Sequence, residues 1–126
     1  MTDEITLTMP RDRAYFSVAH LVLGGIGVRL NITIETLEDL QLALDAMLER
    51  DHEPGDVTIA VRLQDDAIET EIGPFGDGVR RELEREGKEE VGLRRILETL
   101  VDGVEVRRGD GGDWVTLTKA VPDEGR

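Results

Sequence analysis

The sequence contains no cysteine and few aromatic residues: one tryptophan, one tyrosine and two phenylalanines. Without cysteine, disulfides and thiolate metal sites are excluded. Long apolar runs are also missing. The longest, Leu21 to Ile26, falls far short of the roughly 20 residues that a membrane-spanning helix needs. The opening residues, Met1 to Glu4, are acidic, whereas a secretory signal peptide opens with a positive region. These absences predict a cytoplasmic protein.

Cationic residues are scarce, because 15 Lys and Arg face 28 Asp and Glu and the formal net charge is −13. Nucleic-acid binding requires cations that neutralise phosphates, and anionic membranes repel an acidic surface. We therefore expect no nucleic-acid partner and no membrane partner. The charge suits either a basic protein partner or a solvated acidic surface. The two histidines, His20 and His52, share no ligand spacing, so neither indicates a metal site.

The length of 126 residues suits one compact domain, residues 1–121, followed by a polar tail over 122–126. An alternating strand is predicted from Ile5 to Met9, where Pro10 ends it. This strand is expected to lie at the edge of a sheet. It is followed by a helix that Asp12 caps and that runs to about Leu30.

Three glycines, Gly24, Gly25 and Gly27, lie inside this first helix. Glycine weakens a helix by about 1 kcal/mol relative to alanine, so its use here needs a reason. Glycines within a helix allow another backbone to approach closely. That backbone could belong to the same monomer or to a second chain, which would be a dimer mate or another partner. The sequence does not distinguish packing within the monomer from contact with a second chain.

Further along the chain, helical and alternating patterns are separated by turn residues. They predict a helix from Thr33 to near Arg50, strands over 57–63 and 68–72, a short helix over 79–86, a helix over 90–101, and strands over 104–108 and 114–120. Helices grouped between antiparallel hairpins indicate an α+β fold, a two-layer α/β sandwich. We expect a mixed, mostly antiparallel sheet with the helices on one face.

Several stretches of this chain carry a family resemblance. Gly76 and Gly78 follow a predicted strand in a D-x-G-x-G arrangement, with Pro74 at the aspartate position. The other matching stretches are Glu38 to Leu44, Gly92 to Leu97, Val104 to Val106 and Gly111 to Lys119. In this order and spacing, the chain resembles the anti-sigma factor serine kinases of the histidine-kinase-like ATPase superfamily, from about Ile5 to Val121. The resemblance implies a Bergerat-type fold, a homodimer, and ATP with Mg²⁺ as the cofactors of the family.

The same resemblance implies a helix with the pattern E-x-x-x-N, in which glutamate acts as base or orients the attacking group and asparagine holds Mg²⁺ against the phosphates. Counted without gaps from Asp39, these positions fall on Ala46 and Arg50. A slip of one residue gives Asp45 and Glu49, a carboxylate pair that is more typical of a solvated helix face than of a catalytic or metal site. Neither register contains an asparagine. We therefore expect no catalytic residue and no metal site.

The residues expected around the nucleotide also depart from the family pattern. Pro74 replaces the aspartate that accepts a hydrogen bond from adenine. Glu90 replaces the first glycine of the G-x-G turn after the lid, although Gly92 remains, and Asp113 replaces a threonine. A carboxylate beside the phosphates would repel them. These departures predict that ATP and Mg²⁺ binding are lost and that no cofactor is bound.

Three functions are compatible with this sequence. The first is a non-catalytic regulatory module that engages a sigma factor or an anti-anti-sigma-type partner. The second is a divergent serine protein kinase that still binds ATP. The third is a structural subunit that pairs with an intact kinase of the same family. The first and third share the loss of the ATP site and differ only in the partner.

Overall fold

A computed structural model of the chain describes residues 4–50, 53–64, 66–84 and 92–121. These residues form a five-stranded sheet and four α-helices, so the expected α+β sandwich is confirmed. The elements are β1 (Glu4–Pro10), a 3-10 turn (Arg13–Tyr15), α1 (Phe16–Leu30), α2 (Ile34–Glu49), β2 (Asp56–Gln64), β3 (Ala67–Phe75), α3 (Asp77–Glu84), α4 (Leu93–Leu100), β4 (Gly103–Gly109) and β5 (Gly112–Ala120). None of the helices in these ranges has the length and apolarity to cross a membrane.

The sheet has the strand order β1-β2-β3-β5-β4, and each pair of neighbours is antiparallel. The strands in the described part of the chain are thus antiparallel throughout, rather than mixed. Two hairpins build most of the sheet, and their turns use the left-handed backbone at Asp66 (φ 65°) and Gly111 (φ 83°). As expected, β1 lies at an edge.

The core lies between one face of the sheet and the helices. The strands alternate, so that Ile68, Thr70 and Ile72 of β3 are buried while Ala67, Glu69 and Glu71 between them are only half-buried. Besides Ile68 and Ile72, the largest fully buried side chains of this cluster are Leu40, Leu44, Met47, Phe75, Leu83, Leu93, Leu97 and Leu117. The alternation predicted for the central hairpin is confirmed.

Local capping explains where the first two long helices begin. The Asp12 side chain accepts a hydrogen bond from the Ala14 amide at 3.0 Å, so the chain enters a 3-10 turn before α1. The Thr33 hydroxyl accepts from the Thr36 amide at 3.1 Å and starts α2 at the next residue. Helix α1 ends where Asn31 adopts a left-handed conformation (φ 60°).

The other face of the sheet carries a charged network centred on Arg62. Its guanidinium contacts Glu4 of β1 at 3.0 Å and Glu69 of β3 at 3.1 Å, and it lies 4.0 Å from Glu71. Arg107 of β4 reaches Glu71 from the other side at 2.8 Å. Four strands are therefore linked by side chains on the face away from the core.

The segment over residues 71–78 differs from the expected nucleotide-binding loop. Strand β3 continues through Phe75, and α3 begins at Asp77, so Gly76 alone lies between them. Because proline cannot donate to a sheet ladder, the register of β3 against β5 shifts between Ile72 and Phe75, around Pro74. The strand predicted over 68–72 is therefore longer than expected, since it accommodates the proline at this irregularity and continues to Phe75.

Candidate functional site

The two positions expected to carry catalysis lie on consecutive turns at the C-terminal end of α2. Ala46 is buried, and Arg50 is the residue that caps the helix. The Arg50 guanidinium donates to the Ala46 carbonyl at 3.5 Å and pairs with Glu82 of α3, with 3.4 Å between Nε and Oε1. Arg50 therefore links α2 to α3. Neither position offers the oxygen that Mg²⁺ prefers.

The alternative carboxylate pair, Asp45 and Glu49, is separated into two unrelated contacts. Asp45 Oδ1 lies 2.8 Å from Nε2 of His20 on α1, whereas Glu49 faces Arg13 at 3.7 Å. Within the described ranges, no group of three His, Asp or Glu side chains could hold a metal ion. His20 thus joins α1 to α2, and His52 lies outside the described residues.

Pro74 is half-buried next to the β4–β5 turn, and an arginine binds its carbonyl group. Its carbonyl oxygen accepts a hydrogen bond from Arg11 Nη2 at 2.6 Å, and a Cβ added at Gly111 would lie 3.2 Å from the proline ring. Burial lowers the pKa of Arg11, while the charges of Glu53 and Asp56 act in the opposite direction. The proline ring itself has no hydrogen-bonding group, so this position presents no side-chain acceptor to an adenine amino group.

The three expected glycines have different surroundings. At Gly76 an added Cβ would collide with the Glu53 carboxylate, so the end of that exposed side chain would have to move. Gly78 lies inside α3 and Gly92 caps α4, and an added Cβ would meet nothing within 4 Å at either position. Among these three glycines, only Gly76 has a neighbour that an added Cβ would displace. Glu90 falls outside the described residues.

Asp113 is the most buried carboxylate in the described part of the chain, with a relative exposure of 2%. Arg80 of α3 donates to both of its oxygens, at 3.1 and 3.2 Å, and Arg108 of β4 donates to Oδ1 at 3.0 Å. The hydrogen bonds from Arg80 hold the pKa of Asp113 below its usual value, against the effect of burial, and Arg108 adds to this lowering. Two cations therefore neutralise the carboxylate that was expected to repel phosphates.

Helix α3 is the element that brings these positions together. It contacts α2 through Glu82 and β5 through Arg80, and Arg94 of α4 donates to the Leu83 carbonyl at 2.6 Å. Arg50 and Asp113 therefore both contact α3, while Ala46 and Gly92 lie on the neighbouring helices α2 and α4 and Pro74 lies before the start of α3, on β3. The result is a set of ion pairs between helices and sheet, with no free carboxylate or carboxamide among them.

Sequence reasoning named Arg50 but missed Arg11, Arg80 and Arg108. Arg108 and Asp113 are cross-strand partners, and they lie at the facing ends of the strands predicted over 104–108 and 114–120. No pattern in the sequence pointed to Arg80 or Arg11, since their partners lie 33 and 63 residues away in the chain.

The antiparallel sheet with one helical layer, and the helix α3 packed at the end of β3 and β5, are consistent with an α/β sandwich of the histidine-kinase-like ATPase type. A scan against protein-family models finds none that matches the chain. Among curated proteins, the chain is 29% identical to the serine-protein kinase RsbW of Listeria innocua serovar 6a and to that of Listeria monocytogenes serovar 1/2a, in each case over 98% of this chain and 91% of the relative. The serine-protein kinase RsbW of Oceanobacillus iheyensis is 26% identical over 97% of the chain and 89% of the relative.

The similarity covers almost the whole chain and almost the whole of each relative. The chain is therefore a homologue of serine-protein kinases named RsbW, and the resemblance inferred from the sequence is confirmed.

Proposed function

We propose that this protein is a non-catalytic regulatory module of the anti-sigma factor type, acting in the cytoplasm in the control of transcription. It engages a sigma factor or an anti-anti-sigma-type protein and has lost the ATP site of its kinase relatives. The observation that carries the proposal is the pairing of Arg50 with Glu82 at 3.4 Å, one helical turn from Ala46. The position expected for the base is thus occupied by the methyl group of Ala46. The position expected for the metal ligand is occupied by Arg50, whose guanidinium is already paired with Glu82.

The loss of phosphate transfer follows from the chemistry of the reaction. Phosphoryl transfer depends on positioning and on Mg²⁺, which neutralises the charge that develops on the phosphates. Without an oxygen ligand at Ala46 or Arg50, that metal lacks its main protein contact. Pro74 also removes an acceptor for adenine, which costs about 1–3 kcal/mol, or roughly one to two decades of affinity. We expect any dissociation constant for ATP on the order of 1 mM or weaker.

Titration calorimetry with ATP and Mg²⁺, followed by a radiolabel transfer assay, tests this expectation. A serine-protein kinase RsbW from Listeria innocua is the positive control, and the same candidate partner proteins are offered to both. The expected result is labelled partner with the control and none with this chain. Micromolar ATP binding or a labelled partner serine would refute the loss of the site and favour the divergent kinase.

The proposal includes a homodimer formed through α1 and β1. The solvent face of α1 carries Val18, Leu21 and Val28 around Gly25, with Leu21 75% and Val28 84% exposed. In a chain with 34% charged residues, Arg29 is the single charged residue of this helix. A helix that is apolar on both faces is normally covered on both faces.

The glycines of α1 give this proposal a geometric basis. Gly27 packs inside the monomer, since a Cβ there would lie 3.3 Å from Ile32. An added Cβ at Gly24 or Gly25 would meet nothing within 4 Å, so close packing within the monomer does not explain them. They leave room for the backbone of a second copy, and the edge strand β1 adds unpaired backbone groups next to it.

Light scattering at about 50 µM tests the dimer, because self-association depends on concentration. We expect twice the chain mass of 14.0 kDa. Leu21→Glu should shift the mass to that of the monomer, whereas Leu42→Glu, at an exposed leucine of α2, should leave the dimer intact. A monomer mass for the unaltered chain would contradict the proposal. A stable complex with an intact kinase relative, in place of the homodimer, would favour the structural-subunit function.

The partner surface is proposed to include the acidic face of α2. Glu35, Glu38 and Glu49 are exposed along this helix, with Leu42 among them. Asp39, in contrast, is held by Lys119 at 3.1 Å. A partner with a basic surface fits the exposed acids, and its association should weaken as salt rises.

A further inference from the structure

The strand β4 forms the edge of the sheet opposite to β1. Its only strand neighbour in the described part of the chain is β5, so alternate residues of β4 direct their N–H and C=O groups away from the sheet. The pairing of β4 with β5 runs from Gly103 to Gly109 without a register shift, and the strand contains no proline. Strand β4 therefore has neither the bulge nor the proline that commonly protects an edge from pairing with another chain.

The side chains of β4 separate into an apolar set and a charged set. Val106 is paired with the buried Val115 of β5, so Val106 and Val104 lie on the helical side of the sheet. Glu105 and Arg107 therefore lie together on the outer face. This edge presents one acid and one base on the same face, two residues apart.

Both charges of the outer face are accessible to a second chain. Glu105 is exposed and makes no ion pair with any residue in the described ranges. Arg107 is held by Glu71, whose Oε2 lies 2.9 Å from Nε and 2.8 Å from Nη2, and it stacks on Trp114, yet its side chain is 57% exposed. A guanidinium has five N–H groups, so Arg107 can bind a second carboxylate while Glu71 holds it in place.

We propose that the β4 edge binds the β4 edge of a second copy of the chain, in an antiparallel alignment centred on Val106. Because the two strands run in opposite directions, this alignment sets Glu105 of each copy opposite Arg107 of the other. The ion pair therefore forms twice, about a two-fold axis. An alignment centred on Glu105 or on Arg107 would instead set like charges opposite each other, so the charges select a single register.

This contact does not compete with the dimer proposed through α1 and β1, because β1 lies at the other edge of the sheet. A chain that uses both contacts has two different two-fold interfaces, so copies assemble beyond the dimer. One strand pair buries less area than a stable interface needs, and we expect a dissociation constant on the order of 1 mM. At about 50 µM, roughly a tenth of the β4 edges are then paired, which changes the predicted dimer mass little.

Two charge reversals test the alignment. Glu105→Arg produces an edge with two bases and Arg107→Glu an edge with two acids, so each variant repels its own copies and complements the other. Both are made in whichever protein is monomeric at about 50 µM, the unaltered chain or Leu21→Glu, so the test does not depend on the α1 contact. In sedimentation equilibrium up to about 2 mM, each variant alone should associate at least about tenfold more weakly than the parent, and an equimolar mixture should regain the parent's affinity within about threefold.

A matched control pair makes the same changes of charge away from β4. Glu38→Arg on α2 and Arg95→Glu on α4 replace exposed residues, and each should associate through β4 like the parent. Both reversal variants keep a strongly negative net charge, because the chain starts from −13. General attraction between them therefore does not account for association of the mixture.

A cysteine at the two-fold axis gives a second readout. The chain has no cysteine, and directly opposed residues of antiparallel strands lie within the range of Cα separations that a disulfide spans. Under mild oxidation, Val106→Cys should form disulfide-linked dimers about tenfold faster than Arg95→Cys. This readout decides the question if Arg107→Glu, which places a carboxylate beside Glu71, fails to fold by circular dichroism.

Three results would overturn the proposal. The first is an equimolar mixture of the charge variants that associates no more strongly than either variant alone. The second is association of each charge variant with the parent's affinity, which would show that another surface is responsible. The third is cross-linking of Val106→Cys no faster than that of Arg95→Cys, which would show that the two β4 strands do not align at this residue.

Discussion

Asp113→Asn is the change that most directly tests how α3 is held. The carboxamide keeps the shape of the side chain but loses its charge, and it places an NH₂ group opposite one of the Arg80 donors. Three charge-assisted hydrogen bonds are affected. Such bonds contribute about 1.5–3 kcal/mol each when buried, but Arg108 is 71% and Arg80 30% exposed, and the bonds share one carboxylate. We therefore expect a total loss of about 2–3 kcal/mol in the free energy of unfolding.

The pH dependence of this loss has a definite sign. The pKa of Asp113 is lower in the folded chain than in the unfolded one, because Arg80 and then Arg108 stabilise the charged form. The contribution is therefore fully present above the unfolded pKa of about 3.9 and is lost as the pH falls through the folded pKa. The difference between the wild type and the variant should be constant from about pH 5 to pH 8 and should shrink below about pH 4.

Urea unfolding followed by circular dichroism measures both effects. Asp110→Asn is the matched control, since Asp110 lies in the neighbouring turn and is exposed. Near neutral pH, Asp113→Asn should lower the free energy of unfolding by about 2–3 kcal/mol, while the control stays within about 0.5 kcal/mol. Equal stability of the two variants would refute the role of Asp113, as would a difference that persists unchanged at about pH 3.

Gly73→Ala should destabilise the sheet by about 1–3 kcal/mol, because its Cβ would lie 2.6 Å from Cδ2 of Trp114, and urea unfolding with tryptophan fluorescence measures this. Gly78→Ala should instead stabilise the chain by about 0.5–1 kcal/mol in the same assay, since it lies within a helix and faces open space. An unchanged unfolding midpoint for either variant would contradict the corresponding argument. Glu38→Lys should slow association with a basic partner in surface plasmon resonance at low salt, and an unaltered association rate would exclude α2 as the docking face.

Much of the fold follows from local rules that a sequence displays. The start of α2 was predicted because Thr33 satisfies an otherwise unpaired amide one turn ahead. The central hairpin was predicted because alternation separates its buried residues from its exposed ones. Pro74 shows the limit of such rules: proline predicts an interruption, whereas tertiary pairing with β5 extends the strand to Phe75.

The sequence identified which residues occupy the candidate site, but it did not predict which side chains they contact. Asp113 was identified from the resemblance, and its charge suggested repulsion of phosphate. Its burial between Arg80 and Arg108 depends on how α3 packs on the sheet, which no local pattern describes. Likewise, Arg50 was named as a cation in the place of asparagine, but its partner Glu82 lies 32 residues away on another helix.

Arg62 has a consequence for how β1 finds its place. The strand reads Ile-Thr-Leu-Thr-Met, so a slip of two residues would still direct an aliphatic side chain inward and a threonine outward. Hydrophobic burial alone thus discriminates poorly between the two alignments. The slipped strand would withdraw Glu4 from Arg62, which bridges β1 and β3 across β2. The Arg62 side chain therefore helps to fix the register of the edge strand β1 against β2. Its removal should favour a shifted or exchanged β1 strand rather than loss of the whole fold.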